Sequence, residues 1–207
     1  MDISPASLDE DQAYKLVTGI VVPRPIAWVT TLNEDGTVNL APFSAFTFVS
    51  TEPPMLGFNC GRRLGERKDT ARNIHRMREY VVNIGDEGML EAIHASSAEL
   101  PPNVSEAAQL GLQTAPARVI DTPRLAEAPA SMECRLERVL QFGISGAEFF
   151  VGEVVNFHVR DDLYRDGKVD TEKLRPAARV GGPVYARLGE FVRFAPIALS
   201  SRHARGG

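Results

Sequence analysis

Two runs of this chain, Ser131–Phe142 (SMECRLERVLQF) and Phe149–Arg160 (FFVGEVVNFHVR), are long, rich in β-formers and joined by the short stretch Gly143–Glu148. In the first run Met132, Cys134, Leu136 and the later Leu140 fall on one side and the charged residues on the other. That period of two favours strand, with helix as the alternative. Two such strands in succession predict a long antiparallel pair, and a chain built around one has to supply further strands on either side.

The rest of the sequence supplies them. Ile26–Leu32 (IAWVTTL) and Thr37–Leu40 flank the loop NEDG and read as a hairpin. Phe43–Val49 (FSAFTFV) alternates large and small residues, Glu52-Pro53-Pro54 breaks it, and Met55–Cys60 (MLGFNC) reads as the next strand. Glu79–Ile84 (EYVVNI) is another strand, and Gln113–Ile120 a further one interrupted at Pro116. Short helices are expected between them. One runs over Leu8–Val17, capped by Ser7 with Glu10; others cover Thr70–Met77 and Glu87–Ala95, and a brief one is capped by Asn103 with Glu106. The tail VGGPVYARLGEFVRFA gives a glycine turn and two short extended pieces. Strands dominate, and the regular βαβ alternation of a doubly wound fold is missing. The expectation is a mainly β chain with inserted helices, a small antiparallel barrel.

With 207 residues the chain can bury one sizeable core or two small ones. No composition shift marks a boundary, so residues 1–207 are read as one domain. The net charge of −4 argues against a broad nucleic-acid surface. Cys60 and Cys134 have no metal-ligand spacing and suit a reducing compartment as free thiols. No apolar run approaches the ~20 residues that span a bilayer, and the acidic start MDISPASLDED lacks the features of a signal peptide. The cytoplasm is the default.

One basic stretch stands out, Arg62–Asn73 (RRLGERKDTARN). It sets Arg62, Arg63, Arg67 and Lys68 just before Asp69-Thr70, where a helix is expected to start. A helix start offers free N–H groups and a positive dipole end, so cations and a hydroxyl there would cradle a phosphate. A capped surface helix with a solvated basic turn is the alternative.

Several catalytic machineries are absent. The sequence has no G-x-G-x-x-G after a strand, no P-loop, no H-E-x-x-H and no G-x-S-x-G. His75, His94, His158 and His203 are scattered: the first two are expected on helix surfaces, His158 inside a strand and His203 in the tail. No metal site and no acid/base pair is expected. Chemistry carried by a bound organic cofactor needs none of these groups, only an anchor, backbone donors and an apolar wall.

The segments PRPIAWVTTLNEDGTVNLAPFSAF, ERKDTARNI and GGPVYARLGEF, with LPPNVSE at Leu100–Glu106 and MECRLE at Met132–Glu137, occur in the order found in the flavin reductase-like family. The chain resembles these FMN-binding split-barrel proteins over about Tyr14–Phe194. The nearest branch holds the reductase components of nitrilotriacetate-type two-component monooxygenases and the flavoredoxins. The resemblance implies a six-stranded split β-barrel, a homodimer, and FMN at the subunit interface. It implies NAD(P)H:flavin reductase activity, with reduced flavin passing to a partner monooxygenase. A flavoredoxin-like electron-transfer protein and a non-catalytic FMN-binding module are the alternatives.

It also implies site residues. Ala41–Phe46 (APFSAF) would line the flavin, with Ser44 bonding the phosphate or ribityl chain and Phe46 near the ring. Phe43, Phe46 and Phe48 read equally as barrel core. Asn59 would be a polar flavin contact. Arg62 and Lys68 would neutralise the phosphate, Thr70 would donate its hydroxyl, and Asp69 would cap the helix or orient Lys68. Arg24 and Thr30 would lie near the flavin, Arg24 reading equally as a surface residue between two prolines. Trp28 would approach the flavin or pack at the interface. Tyr185 would close the pocket, its alternative being a buried barrel tyrosine. Cys60 reads as a small buried hydrophobe, and no residue is assigned as catalytic.

Overall fold

The computed structural model describes residues 1–101 and 104–195. In chain order the elements are α1 (Glu10–Ile20), β1 (Arg24–Pro25), β2 (Ala27–Leu32), β3 (Val38–Phe43), β4 (Phe46–Thr51), β5 (Pro54–Cys60), α2 (Asp69–Met77) and β6 (Glu79–Ile84). After these come α3 (Leu90–Ala95), α4 (Glu106–Gln109), β7 (Thr114–Ala115), β8 (Arg124–Leu125), β9 (Ala130–Phe142) and β10 (Ala147–Val159). Two short strands β11 (Tyr164–Arg165) and β12 (Lys168–Val169), helix α5 (Thr171–Leu174) and strands β13 (Ala178–Arg179) and β14 (Tyr185–Ala186) complete it.

The main sheet has seven strands in the order β3-β2-β6-β9-β10-β5-β4, and every pair is antiparallel. Its two edges, β3 and β4, are consecutive in sequence and joined only by Ser44 and Ala45. At 3.8 Å per residue the link from Phe43 to Phe46 spans at most about 11 Å. The edges of a flat seven-stranded sheet would stand about 29 Å apart. The sheet therefore has to roll until its edges meet. Phe43 of β3 and Phe58 of β5 confirm it, with ring centroids 4.8 Å apart across the seam. The result is a mainly β, split-barrel architecture with helices inserted between strands, as expected, though with seven strands in the sheet and not six.

The interior is apolar and aromatic. Phe58 lies 5.5 Å from Tyr80 and 5.6 Å from Phe150, and Ala27, Val29, Ile74, Val82 and Cys134 fill the space around them. Strand β2 is buried on both faces. Ala27 and Val29 enter this core, while Trp28 points the other way into a second one with Leu40, Ile93 and Leu125. The period of two along a strand thus separates the two cores. Gly152 leaves room for Tyr80: a Cβ there would lie 2.3 Å from the tyrosine oxygen. Both cysteines are buried free thiols, and burial, the largest influence, pushes Cys60 up to about 11 and Cys134 further.

Some expectations are corrected. Helix α1 is capped by Asp9 with Gln12, two residues later than the Ser7–Glu10 box proposed. The run Phe43–Val49 splits at Ser44-Ala45, because Phe43 closes one sheet edge and Phe46 opens the other. Only Thr114–Ala115 of Gln113–Ile120 is strand. Trp28 is fully buried, its indole N–H donating to Ser96 Oγ at 2.8 Å. Glu133, assigned by alternation to the outer face of β9, is completely buried, where it accepts the N–H groups of Arg118 and Val119 and pairs with His158. Leu140 is exposed, since the register shift at Val151/Gly152 leaves Glu137 unpaired and turns Val139, not Leu140, toward the core. His203 and the cap assigned to Asn103 lie outside the described residues; α4 is capped by Ser105.

Candidate functional site: two joined clefts on the barrel seam

The basic stretch forms a loop between β5 and α2. Two arginines pin it. Arg62 donates Nε to the Gly146 carbonyl at 3.0 Å and Nη1 to that of Gly65 at 3.1 Å. Arg67 makes a bidentate contact with Glu148 on β10, Nε to Oε2 at 3.0 Å and Nη2 to Oε1 at 2.9 Å. His75 reaches the same carboxylate at 3.0 Å. Burial pushes the Glu148 carboxyl up, but Arg67 and His75 outweigh it and hold its pKa below the usual carboxylate range. A charge-assisted, bidentate contact of this kind fixes geometry as well as adding energy. It delivers the next residue, Lys68, to the start of α2.

Lys68 is the N-cap residue of α2, and no side chain caps that helix. The N–H groups of Asp69 and Thr70 therefore have no intrahelical acceptor. Arg63 pairs with Glu99, Arg67 with Glu148 and Arg72 with Asp69, while Lys68 has no carboxylate partner among the described residues. Thr70 is buried, and its Oγ1 accepts from Asn39 Nδ2 at 3.0 Å. Its own hydrogen is left for another acceptor. A first cleft of about 330 Å³ opens over these groups. Ala41, Pro42 and Phe43 of β3 give it an apolar wall, and Ser96–Leu100 also line it. Glu106 lies at its edge, its Oε2 accepting Leu40 N–H at 2.8 Å; burial raises this carboxyl.

A second cleft of about 200 Å³ shares Pro42 and Ser97 with the first. Arg24, Ser44, Arg179 and Tyr185 line it. Arg24 is a strut. Its Nη1 donates to the carbonyls of Thr18 and Val21, which end α1, its Nη2 to Val180 and its Nε to Ser44 Oγ at 3.4 Å. Arg179 sits opposite Tyr185 across the Gly182 turn, where φ is +60°. Its Nη1 donates to the tyrosine oxygen at 2.7 Å and its guanidinium lies 4.7 Å from the ring centroid. His94 Nδ1 is 3.2 Å from the same oxygen.

Of the residues read from the sequence, Lys68, Asp69 and Thr70 meet in the first cleft and Arg24, Ser44 and Tyr185 in the second. Four do not line either. Thr30 is buried, donating to the Pro123 carbonyl at 2.7 Å and accepting from Asn83. Phe46 packs against the main core. Asn59 has a buried, unpartnered Oδ1. Arg62, proposed as a phosphate ligand, lines neither cleft and anchors the loop instead, its Nε and Nη1 donating to the Gly146 and Gly65 carbonyls. Asp69 neither caps α2 nor pairs with Lys68; it holds Arg72. Sequence reading missed Asn39, Ser97 and Arg179 as site residues. Only Arg179 carried a signal, its position opposite Tyr185 about the turn VGGPV. Among the described residues no group of His, Cys, Asp and Glu is placed to hold a metal, and no helix is long and apolar enough to cross a membrane.

Known proteins share this sequence and fold. A family model described as flavin reductase like domain matches residues 19–173. An uncharacterized protein of Halalkalibacterium halodurans is 44% identical over 195 residues, covering 92% of this chain and 93% of that protein. The crystal structure of nitrilotriacetate monooxygenase component B from Bacillus cereus is 40% identical with a TM-score of 0.91, covering 94% of this chain and 98% of that one. That of 2-nitrobenzoate 2-nitroreductase from Pseudomonas fluorescens is 35% identical with a TM-score of 0.83, covering 98% and 100%.

The Glu148 pair makes the loop's anchoring pH-dependent. Its folded-state pKa is lowered, so its stabilisation is present above the ordinary carboxylate value and is lost as pH falls through the folded one. Urea unfolding should show Arg67→Ala weakened at neutral pH by about 1.5–3 kcal/mol. The gap between wild type and Glu148→Gln should be widest at neutral pH and shrink as the pH is lowered through the carboxylate range.

Proposed function

The chain belongs to the flavin reductase like family, and on that premise we propose that it binds FMN along the barrel seam and reduces it with NADH or NADPH. The observation that carries this reading is the α2 start: an uncapped helix N-terminus, Lys68 without a carboxylate partner among the described residues, and a Thr70 hydroxyl free to donate. These groups fit a phosphate. Ala41, Pro42 and Phe43 beside them offer the apolar face a flat ring needs. FMN supplies the hydride acceptor when bound. The chain's own residues hold, orient and partly desolvate it, so no side chain is needed as general acid or nucleophile.

The whole chain acts as one split-barrel domain in this reading, in the cytoplasm, where both thiols stay reduced. Its likeness to component B of a monooxygenase supports delivery of reduced flavin to a partner oxygenase. A second reading, direct reduction of a small organic acid by the bound flavin, draws on the arginine-lined second cleft and the likeness to a 2-nitrobenzoate reductase. Steady NAD(P)H consumption with free FMN as the only acceptor separates the first from the second.

The protein is proposed to be a homodimer. No residue of α1 is buried, and Tyr14, Val17, Ile20 and Val21 expose 64%, 61%, 75% and 57% of their surface beside the second cleft. An apolar strip of that kind asks for a cover. Sedimentation should give a dimer that Val17→Glu weakens; a wild-type monomer binding FMN fully contradicts it.

Lys68→Ala should weaken FMN by roughly ten- to a hundredfold, about 1.5–3 kcal/mol, and leave riboflavin, which lacks the phosphate, unchanged. Titration of both flavins into both proteins checks this. Unchanged FMN affinity removes Lys68 from the phosphate site, and equal losses indicate general damage to the loop.

A further inference from the structure

We propose that the second cleft is an anion subsite for the flavin's second substrate, and that Arg179 is the residue that recognises the charged group. The inference rests on the flavin reading above and extends it to the other reactant. The two clefts differ in charge pattern. Glu66, Asp69, Glu99 and Glu106 border the first together with Arg63, Arg67, Lys68 and Arg72, whereas two guanidinium groups and, among the described residues, no carboxylate line the second. Arg24 has its donors on three carbonyls and Ser44. Arg179 has Nε on the Gly182 carbonyl at 2.8 Å and Nη1 on Tyr185, while its Nη2 has no acceptor among the described residues. Stacking on Tyr185 and the Tyr185–His94 contact hold the plane of the guanidinium still. A guanidinium held by two hydrogen bonds, lining this cleft with one nitrogen uncommitted, is suited to a phosphate or carboxylate oxygen.

The surroundings complete the subsite. Ser44 Oγ accepts from Arg24, so its hydroxyl hydrogen is free to donate into the cleft. The volume of about 200 Å³ takes one anionic group and not a whole dinucleotide. Pro42 and Ser97 belong to both clefts, so a molecule anchored at Arg179 has its remainder directed toward the flavin's cleft. Arg179 is thus a specificity-determining residue for the second substrate, and Tyr185 positions it.

Calorimetry with four probes tests this: AMP against adenosine, and benzoate against benzamide, each titrated into FMN-saturated and flavin-free protein. Wild type should bind one anionic probe at least about tenfold more tightly than its neutral mate. Preference within the AMP pair marks a nucleotide phosphate, and within the benzoate pair an organic acid. Arg179→Gln should abolish the preference and leave FMN affinity unchanged, while Arg179→Lys retains part of it. Circular dichroism establishes that each variant is folded, and Tyr185→Phe, which keeps the ring, should give a partial loss. An anion preference that survives in Arg179→Gln, or no preference in wild type, overturns the proposal. So does selective loss of FMN over riboflavin in Arg179→Gln, which would put the flavin's own phosphate here. The flavin-free arm keeps the result readable if FMN does not bind, which would refute the function above separately.

Discussion

The link Ser44-Ala45 governs this molecule. Two residues join the opposite edges of a seven-stranded sheet, so the sheet has no choice but to close. Closure brings Phe43 against Phe58 and packs one aromatic core inside. It also leaves a seam where the backbone changes edges and ladder hydrogen bonding is interrupted. Pro42, Phe43 and Ser44 stand on that seam, and both clefts are built on them. The site is therefore a by-product of how the barrel shuts, and its rigidity is the rigidity of the closed sheet.

Buried and half-buried carboxylates then tie irregular segments to the barrel. Glu148 holds the basic loop through Arg67. Glu133 takes the N–H groups of Arg118 and Val119, and Glu79 those of Asp121 and Thr122. Glu106 takes that of Leu40. A loop with little regular structure cannot leave buried donors unpaired, and a carboxylate with two oxygens satisfies two at once. Breaking one of these contacts leaves a desolvated charge, which costs more than the contact itself contributes.

The long strands were legible because β-former runs and prolines mark them: Glu79–Ile84 has the observed bounds, and β9 and β10 differ by one or two residues. A helix start was expected at Asp69-Thr70, and α2 begins at Asp69 after the N-cap Lys68. What was hidden is pairing across the chain. Alternation put Glu133 outside, since nothing local shows that Arg118, Val119 and His158 surround it. Arg62 and Arg67 looked alike beside Lys68, yet Gly146 and Glu148, far along the chain, claim them both. The resemblance placed Thr30 near the ligand, but the Pro123 carbonyl accepts its hydroxyl.

The uncapped start of α2 and Lys68, which has no carboxylate partner among the described residues, meet in the first cleft. The most direct measurement is a crystal structure of the protein grown with FMN. The phosphate is expected within hydrogen-bond distance of Lys68 Nζ, the Asp69 and Thr70 N–H groups and Thr70 Oγ1, with the ring along Pro42 and Phe43. FMN bound with its phosphate on any other face, or both clefts without FMN at saturating concentration, would contradict it.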